Sequence, residues 1–457
     1  MTGLAKKTPR KAVVRRRAWN VIPQNIPKSQ QLQTITYGLR SLKVKQNTLI
    51  RPAFSKKAER FLHLPDYCVR KQRRGSALYF GPSIAIYALP GKRSLFGPQT
   101  NLFREMALIA KNQGVDLFVV TPGHLQYEQR QTLGYRYYPS KRRWRLEICP
   151  WPDFVWRRAV QRPLRFRKQM DVDEMILTNK SVIGTLPRTQ SEKWLLHTML
   201  SKSQAVLPFL LPVTLIQSPY DLIKAVHQLG DVYVKPVRGT QGQQIVRIVE
   251  ENSRYIVTRA NSDRFNYAHG EVLATDQDLL RRFVRLTMST PFIAQRTVHM
   301  MRTMSNEPFD LRYLIQASAE GVDSAVCTAI VARVAPSESV TTNLHTGAIP
   351  LSIEDLLKRM PDHRVALLLQ AIERGQTAAI AAFHAIANQH VALVELGVDI
   401  AVDRQGRAFI LEVNPCPGRQ MYRRIDPELR RLSLQRVLEY AVFSTDFLRG
   451  VKEADQQ

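Results

Sequence analysis

A chain of 457 residues is too long for one hydrophobic core, and 44% hydrophobic with 23% charged residues is the composition of a folded protein, which excludes a disordered or low-complexity chain. Cys68, Cys149, Cys327 and Cys416 lie far apart without a CxxC pair, which argues against a disulfide framework and a structural zinc site and points to a reducing compartment. The formal charge of +29 is uneven: residues 1–75 hold 19 Lys and Arg against Glu59 and Asp66, a net of +17, and the other 382 residues carry +12.

The first residues, MTGLAKKTPRKAVVRRRAWN, are basic with no apolar run behind them, and no stretch reaches the roughly 18 uninterrupted apolar residues of a membrane span. An intracellular, cytoplasmic protein without a transmembrane segment is the expectation. The basic segment attracts polyanions of any kind, whether nucleic acid, anionic lipid or an acidic polymer, by a force that salt screens; the alternative is a solvated module with no dedicated partner. Residues 1–28 are polar and Pro-punctuated, so disorder is expected there. QLQTITYGLRSLKVK alternates in part as a small strand pair does, and SKKAERFLHLP has helical spacing with a stop at Pro65. Residues 1–75 thus read as a small basic N-terminal module.

RGSALYFGPSIAIYALPG reads as a buried strand, NLFREMALIAKNQG as an amphipathic helix closed by Gly114, and VDLFVVTPG as a second buried strand, which together predict a βαβ unit within residues 76–185. The lysine of LPGKRS does not make a phosphate loop: Ile86 stands where the first glycine belongs, and Arg93 follows Lys92 where Ser or Thr is required. Residues 130–168 interleave aromatics with arginines, a composition that suits single strands of nucleic acid. No RNP-like or helix-turn-helix pattern accompanies it, so specific nucleic-acid binding is not expected. Trp151 and Trp156 read as core.

SPYDLIKAVHQLG carries Ser218 as N-cap, Pro219 at the first helical position, Asp221 in the first turn and Gly230 just past the end, the punctuation of a helix. It leads into DVYVKPVRGTQGQQIVRIVE, two β-type runs joined by a loop with Gly239 and Gly242. FDLRYLIQA, SAVCTAIVARVA and HVALVELGVDIAVDRQGRAFILEVN read as sheet, and residues 364–389 as a helix between them.

The end of the last run carries the chemistry. Strand alternation puts Ile410, Glu412 and Asn414 on one side and Leu411 and Val413 on the other. A hairpin turning at Asp403–Gly406, with Val402 opposite Arg407, places Asp399 opposite Ile410, on Glu412's face and one diagonal step away, about 7–8 Å at the backbone. Two carboxylates and an amide oxygen are hard ligands suited to Mg²⁺ or Mn²⁺ and unsuited to zinc. The plain alternative is a solvated hairpin end with charges on its open face. Upstream, Lys235 ends the apolar run VYVKP, where its stem is buried and its ammonium reaches a polar cleft, and the N–H groups around Gly239 and Gly242 suit phosphate oxygens.

A strand-end lysine, a glycine loop and a distant hairpin with Asp399, Glu412 and Asn414 resemble the ATP-grasp superfamily, and within it the YheC/YheD-type endospore coat-associated proteins. The resemblance covers most of the chain. It implies an α/β and α+β multidomain protein in which two α+β lobes, residues 186–290 and 291–457, grip ATP behind a βαβ-type domain. Carried over by position, it implies that Lys193 and Lys235 face the phosphates and that Gln295 and the backbone near Val298 bind adenine in the hinge PFIAQRTVHM. Many ATP-grasp enzymes have Glu where this chain has Gln295. Leu411 would pack near adenine from the face opposite the metal ligands; Asp399, Glu412 and Asn414 would hold Mg²⁺ or Mn²⁺. Arg312, Arg333 and Asn343 match further positions, and two permanently charged forks suit a transferring phosphoryl group, with ion pairing within the protein as the alternative. His345 reads as a surface histidine and Cys416 has no basic partner that would make it a nucleophile. The resemblance implies an ADP-forming carboxylate–amine ligase using ATP and an unknown acceptor, for which an acidic one would suit the surplus of positive charge. The alternatives are a nucleotide-binding structural protein of the spore coat and a polyanion binder acting through residues 1–75.

Overall fold

The computed structural model describes residues 34–43, 61–65, 67, 69–74, 76–239, 245–259, 270–287, 291–339, 342, 347–390, 392–445 and 447. The disorder expected for residues 1–28, the body of the helix expected before Pro65, and Gly242, Asn343 and His345 lie outside these residues.

Four sheets follow one another along the chain. The first joins β1 (Thr34–Tyr37), β2 (Arg40–Lys43), β3 (Lys71–Arg74) and β4 (Ala77–Phe80) in the order β2-β1-β4-β3. The apolar run expected to form one strand is broken at Gly81–Pro82: Pro82 has no N–H for a ladder, and Gly81 has φ +144°, a conformation open to glycine. Residues 77–80 therefore close the first sheet, and the β3–β4 hairpin straddles the expected division at residue 75.

Beyond the break, β5 (Ser83–Tyr87), α1 (Thr100–Asn112) and β6 (Asp116–Val120) form the βαβ unit, with β5 and β6 parallel. The sheet is completed by β7 (Leu125–Gln126), β8 (Gln131–Tyr138), β9 (Arg143–Pro150), β10 (Phe154–Arg157) and, after α2 (Arg167–Lys180), β11 (Val182–Ile183). Its order is β11-β10-β5-β6-β8-β7, with β9 on β8. Leu102, Phe103 and Met106 of α1 pack on one face, and Met170 and Leu177 of α2 on the other. Trp151 and Trp156 are buried, and Arg136 is buried against Asp116 (Nη2–Oδ2 2.7 Å) and Glu147 (2.9 Å), so the aromatic-arginine stretch spends these members on its own core.

After α3 (Lys193–Leu200) and β12 (Val213–Ile216), α4 (Pro219–Leu229) starts in a capping box between Ser218 and Asp221 and stops at Gly230, φ +72°. The third sheet contains β12, β13 (Asp231–Pro236), β14 (Val246–Glu251), β15 (Arg254–Arg259), β16 (Glu271–Leu273) and, beyond α5 (Asp276–Thr287), β17 (Phe292–Arg296). Its order is β12-β17-β13-β14-β15-β16, so this lobe's sheet runs to Arg296, past the expected division at 290. Alternate residues Val232, Val234, Ile248 and Val257 bury against Leu222 and Val226 of α4 and Leu279 and Phe283 of α5.

The last sheet holds β18 (Phe309–Ser318), β19 (Gly321–Val334), β20 (Ile349–Leu351), β21 (Glu395–Val402) and β22 (Ala408–Asn414) in the order β20-β19-β18-β21-β22. Between β20 and β21 come α6 (Ile353–Leu357) and α7 (Asp362–Ala387), the Ala-rich helix; α8 (Gln420–Ile425) and α9 (Pro427–Ser444) follow β22. The odd residues Phe309 to Ala317 of β18 and Leu396, Val398, Ile400 and Val402 of β21 join the core with α7. The period of two then puts Asp310, Arg312 and Asp399 on the opposite face.

Candidate functional site

The β21–β22 hairpin turns where expected: Asp403 Oδ1 accepts from the N–H groups of Gln405 and Arg407, and Gly406 has φ +74°. Its register differs. Val402 pairs with Ala408 and Ile400 with Ile410; then one extra residue, Leu411, bulges from β22, and Asp399 lies directly opposite Glu412 rather than one diagonal step away. The bulge also shifts the alternation by one. Ile410 and Val413 sink into the main core, whereas Phe409, Leu411, Glu412 and Asn414 all keep partial exposure. Leu411 packs with Leu211, Val298 and Ala401, on the Asp399 side, so the expectation that it faces away from the carboxylates is corrected. A strict two-residue period cannot anticipate an inserted residue.

On this face acids and arginines form a ladder across neighbouring strands. Asp310 stands opposite Arg333, and Arg312 opposite Asp399. Arg333 Nε donates to Asp310 Oδ1 at 2.6 Å and its Nη2 lies 3.0 Å from Asp399 Oδ2. Arg312 grips Asp399 through Nε and through Nη2, the latter at 2.8 Å. Thr342 also donates to Asp310, and Asn414 Nδ2 lies 3.4 Å from Asp399 Oδ2. All four charged members are at least 93% buried. Burial alone would push the Asp399 carboxyl up, but Arg312 and Arg333 hold it at about 2, so it stays an anion. Burial raises Asp310 even against Arg333. Asp310 escaped the sequence reading, although its spacing two before Arg312 was the available signal.

Across the cleft stand the lysines. Lys193, at the first turn of α3, donates from Nζ to the Gly239 carbonyl at 2.8 Å and lies 3.7 Å from Glu412 Oε1. Lys235 Nζ donates to Gln295 Oε1 at 2.6 Å, and Gln295 Nε2 donates to the Leu411 carbonyl at 3.3 Å, a chain that runs from the third sheet to the last. Burial lowers Lys235 to about 8, with Lys193 adding to the fall and Glu412 opposing it. Beyond β17 the chain crosses between sheets: Thr297 N–H bonds to the Asp231 carbonyl, and Met301 N–H to that of Val402. Val298 lies buried in this crossing. Lys193, Lys235, Gln295, Leu411 and Glu412 share a cavity of about 40 Å³ with Leu196, His197 and Leu210.

The structure therefore brings Lys193, Lys235, Gln295, Leu411 and Glu412 into one cleft, and joins Asp399, Asn414, Arg312 and Arg333 in the adjoining ladder. Gly239 borders Lys193, at φ +149°. Cys416 donates to the Arg157 carbonyl, and burial raises its thiol against the influence of Arg158, which leaves it an inert thiol. The described cysteines Cys149, Cys327 and Cys416 are free.

The family described as YheC/D like ATP-grasp matches residues 185–443, more than half of the chain. The chain belongs to that ATP-grasp family. Over 381 residues it is 23% identical to the endospore coat-associated protein YheD of Bacillus subtilis (strain 168), covering 81% of this chain and 80% of YheD. Over 332 residues it is 20% identical to YheC of the same organism, covering 71% of this chain and 86% of YheC. Among solved structures, the ATP-grasp ligase PsnB complexed with minimal precursor overlays 79% of this chain and 99% of its own, at 13% identity and a TM-score of 0.45. Among the described residues of this ATP-grasp chain, no helix is long and apolar enough to cross a membrane, and no three His, Cys, Asp or Glu gather as metal ligands. The oxygen donors at hand are two carboxylates and an amide.

Proposed function

We propose that the protein is an ATP- and Mg²⁺-dependent ligase of the carboxylate–amine type that forms ADP. The observation that carries this reading is the register of β21 on β22. It sets Asp399 opposite Glu412 and Gly397 opposite Asn414, and Glu412 lies 3.7 Å from Lys193 of the other lobe. The partly exposed Glu412 and the Asn414 amide are the accessible hard oxygen donors, and the ionised Asp399 would join them by releasing a guanidinium of the ladder; such a set suits Mg²⁺ or Mn²⁺ better than zinc. When bound there, the cation would neutralise charge on the phosphates.

The rest of the chemistry falls to the chain's own residues. Lys193 and Lys235 hold the triphosphate, with the N–H groups near Gly239 and Gly242. Gln295, the backbone at Val298 and the side chain of Leu411 hold the adenine. A substrate carboxylate oxygen attacks the γ-phosphorus, the bond to the bridging oxygen breaks, and ADP leaves. An amine nitrogen then attacks the acylphosphate carbon, loses a proton, and expels phosphate. Arg312 and Arg333, from within the ladder, would stabilise the charge that develops on the transferring group, and Asn343 is assigned the same task by its place in the sequence.

The names of YheD and YheC support an association with the endospore coat, and an acidic acceptor would suit the +29 charge. The test is ADP release across a panel of carboxylates and amines, compared with Glu412→Ala. Acceptor-stimulated release that the variant loses supports the ligase. Tight Mg²⁺–ATP binding with no release over the whole panel points instead to a structural, nucleotide-binding coat protein. Removing residues 1–33, which precede β1 and hold eight Lys and Arg with no Asp or Glu, separates off the polyanion reading: retention on heparin should fall while ATP affinity holds.

A further inference from the structure

A second cavity lies outside the nucleotide cleft and shares no lining residue with it. Tyr87, Arg157 and Ile183, the last residues of β5, β10 and β11, line it together with Met170, Asp171, Glu174 and Leu177 of α2. These three strands are parallel neighbours. From β5 the chain passes through α1 to β6 on one side, while β10 and β11 lie on the other with α2 on the opposite face. The cavity therefore opens at the carboxyl ends of the strands where the winding reverses, the place at which open α/β sheets take ligands. Its volume is about 300 Å³, enough for a small molecule.

Its chemistry is one-sided. Arg157, Arg162 and Arg188 line it together with Asp171 and Glu174. Arg162 pairs with Asp171, and Arg157 Nη1 lies 3.5 Å from Glu174 Oε1. Arg188 spends only its backbone N–H on Glu174, at 3.0 Å. Its Nη1 is buried with no hydrogen-bond partner among the described residues, and so is Arg157 Nε. Burial and then the neighbouring Arg162 and Arg157 lower Arg188, a sign of positive groups crowded without enough counter-charge. The two acids match two of the three guanidinium groups and leave one positive charge over. His390, held down by burial and bonded at Nε2 to the Ile183 carbonyl at 3.1 Å, adds none. The walls are apolar: Val155, Met170 and Leu177.

We propose that this pocket binds a small organic monocarboxylate with an apolar body, which lies along α2 while its carboxylate meets the guanidinium of Arg188; Arg157 is already engaged, donating through Nη2 to the Leu186 carbonyl and lying beside Glu174 through Nη1. One surplus charge matches one carboxylate, and a planar two-oxygen anion fits a guanidinium fork. A dianionic phosphate would be over-charged for the site and would leave the apolar walls without a partner. The inference stands whether or not the chain is a ligase.

The test uses the full chain and three probes, 3-phenylpropionate, 3-phenylpropionamide and inorganic phosphate, each titrated by calorimetry. Saturable one-to-one binding of the carboxylate is expected, with the amide and phosphate weaker by at least roughly tenfold, the size of one lost charge-assisted bond. Arg188→Gln should weaken the carboxylate similarly, and Arg188→Lys should recover part of the loss. Met170→Trp, which fills the cavity, should abolish binding. If Arg188→Gln does not fold, Arg188→Lys is read in its place, with weakened carboxylate binding expected. Equal binding of carboxylate and amide, unchanged binding in the arginine variants, preference for phosphate, or no saturable uptake of the carboxylate at millimolar concentration would each overturn the proposal.

Discussion

The two walls of the nucleotide cleft hold their charges in opposite ways. On the last sheet, Asp310, Arg312, Arg333 and Asp399 are buried and gripped by paired nitrogens and oxygens, and neighbouring strands fix each contact. On the other wall, Lys193 and Lys235 end flexible stems and each makes one short contact with an oxygen of its own lobe. A guanidinium fork loses little freedom when it is set between carboxylates, whereas an ammonium is a point charge that moves to where anions are. One wall is thus preorganised and the other adapts, as a cleft needs when it must open for its ligand and close on it.

Breaking the rigid wall has the largest effect. Asp399→Asn leaves Arg312 and much of Arg333 facing no matching charge inside the sheet. Chemical denaturation should show a loss of about 3–5 kcal/mol, the usual consequence of removing one partner of a buried pair. An unchanged midpoint would mean that the ladder carries no stability. Glu412→Gln sharpens the contrast, because Glu412 is 31% exposed in its side chain and its only ion pair among the described residues is the 3.7 Å approach of Lys193. Stability should move by less than about 1 kcal/mol. Mg²⁺-supported ADP formation should nevertheless fall by on the order of 100-fold, as a lost oxygen ligand implies. On the adaptable wall, Lys235→Met should weaken ATP binding by roughly tenfold or more while leaving the melting temperature level or raised, since the variant no longer buries an ammonium. A variant that binds ATP as tightly as the parent would remove Lys235 from the phosphate site.

The hairpin, its turn and the oxygen-bearing residues at its end were legible because alternation and turn chemistry are local. The capping box of α4 was legible for the same reason. Local patterns carry no information about an inserted residue: the bulge at Leu411 reversed that residue's face, and together with a hairpin register one residue off the expected one it moved Asp399 from opposite Ile410 to opposite Glu412. Gly81–Pro82 sat inside an apolar run that reads as continuous, and only the pairing of its two halves in different sheets exposes the break. The arginines at 312 and 333 were visible as candidates, but their grip on Asp310 and Asp399 depends on which strands are neighbours. The arginine pocket under α2 is further from reach, because its lining comes from the ends of strands separated by up to about a hundred residues of chain.

The smallest expected effect separates the walls by pH. Burial lowers Lys235 from its ordinary 10.5 to about 8, so the folded state binds this proton less tightly than the unfolded chain does. Between about pH 8 and 10.5 the unfolded state holds more protons, and the contribution of Lys235 to stability therefore rises with pH through that window. Because the side chain is only partly buried by surface exposure, the gain is about 1–3 kcal/mol. ATP affinity should run the other way. Above pH 8 the ammonium is lost, and affinity should fall by up to about tenfold per unit, the limit for one linked proton. The rigid wall has nothing to titrate there, with Asp399 held at about 2 and both arginines raised by their acids against the pull of burial. Lys235→Met should therefore flatten both profiles together between pH 7.5 and 9.5, measured by denaturation and by ATP titration. If the affinity profile kept its slope in that variant, the titrating group would lie outside this pair of walls.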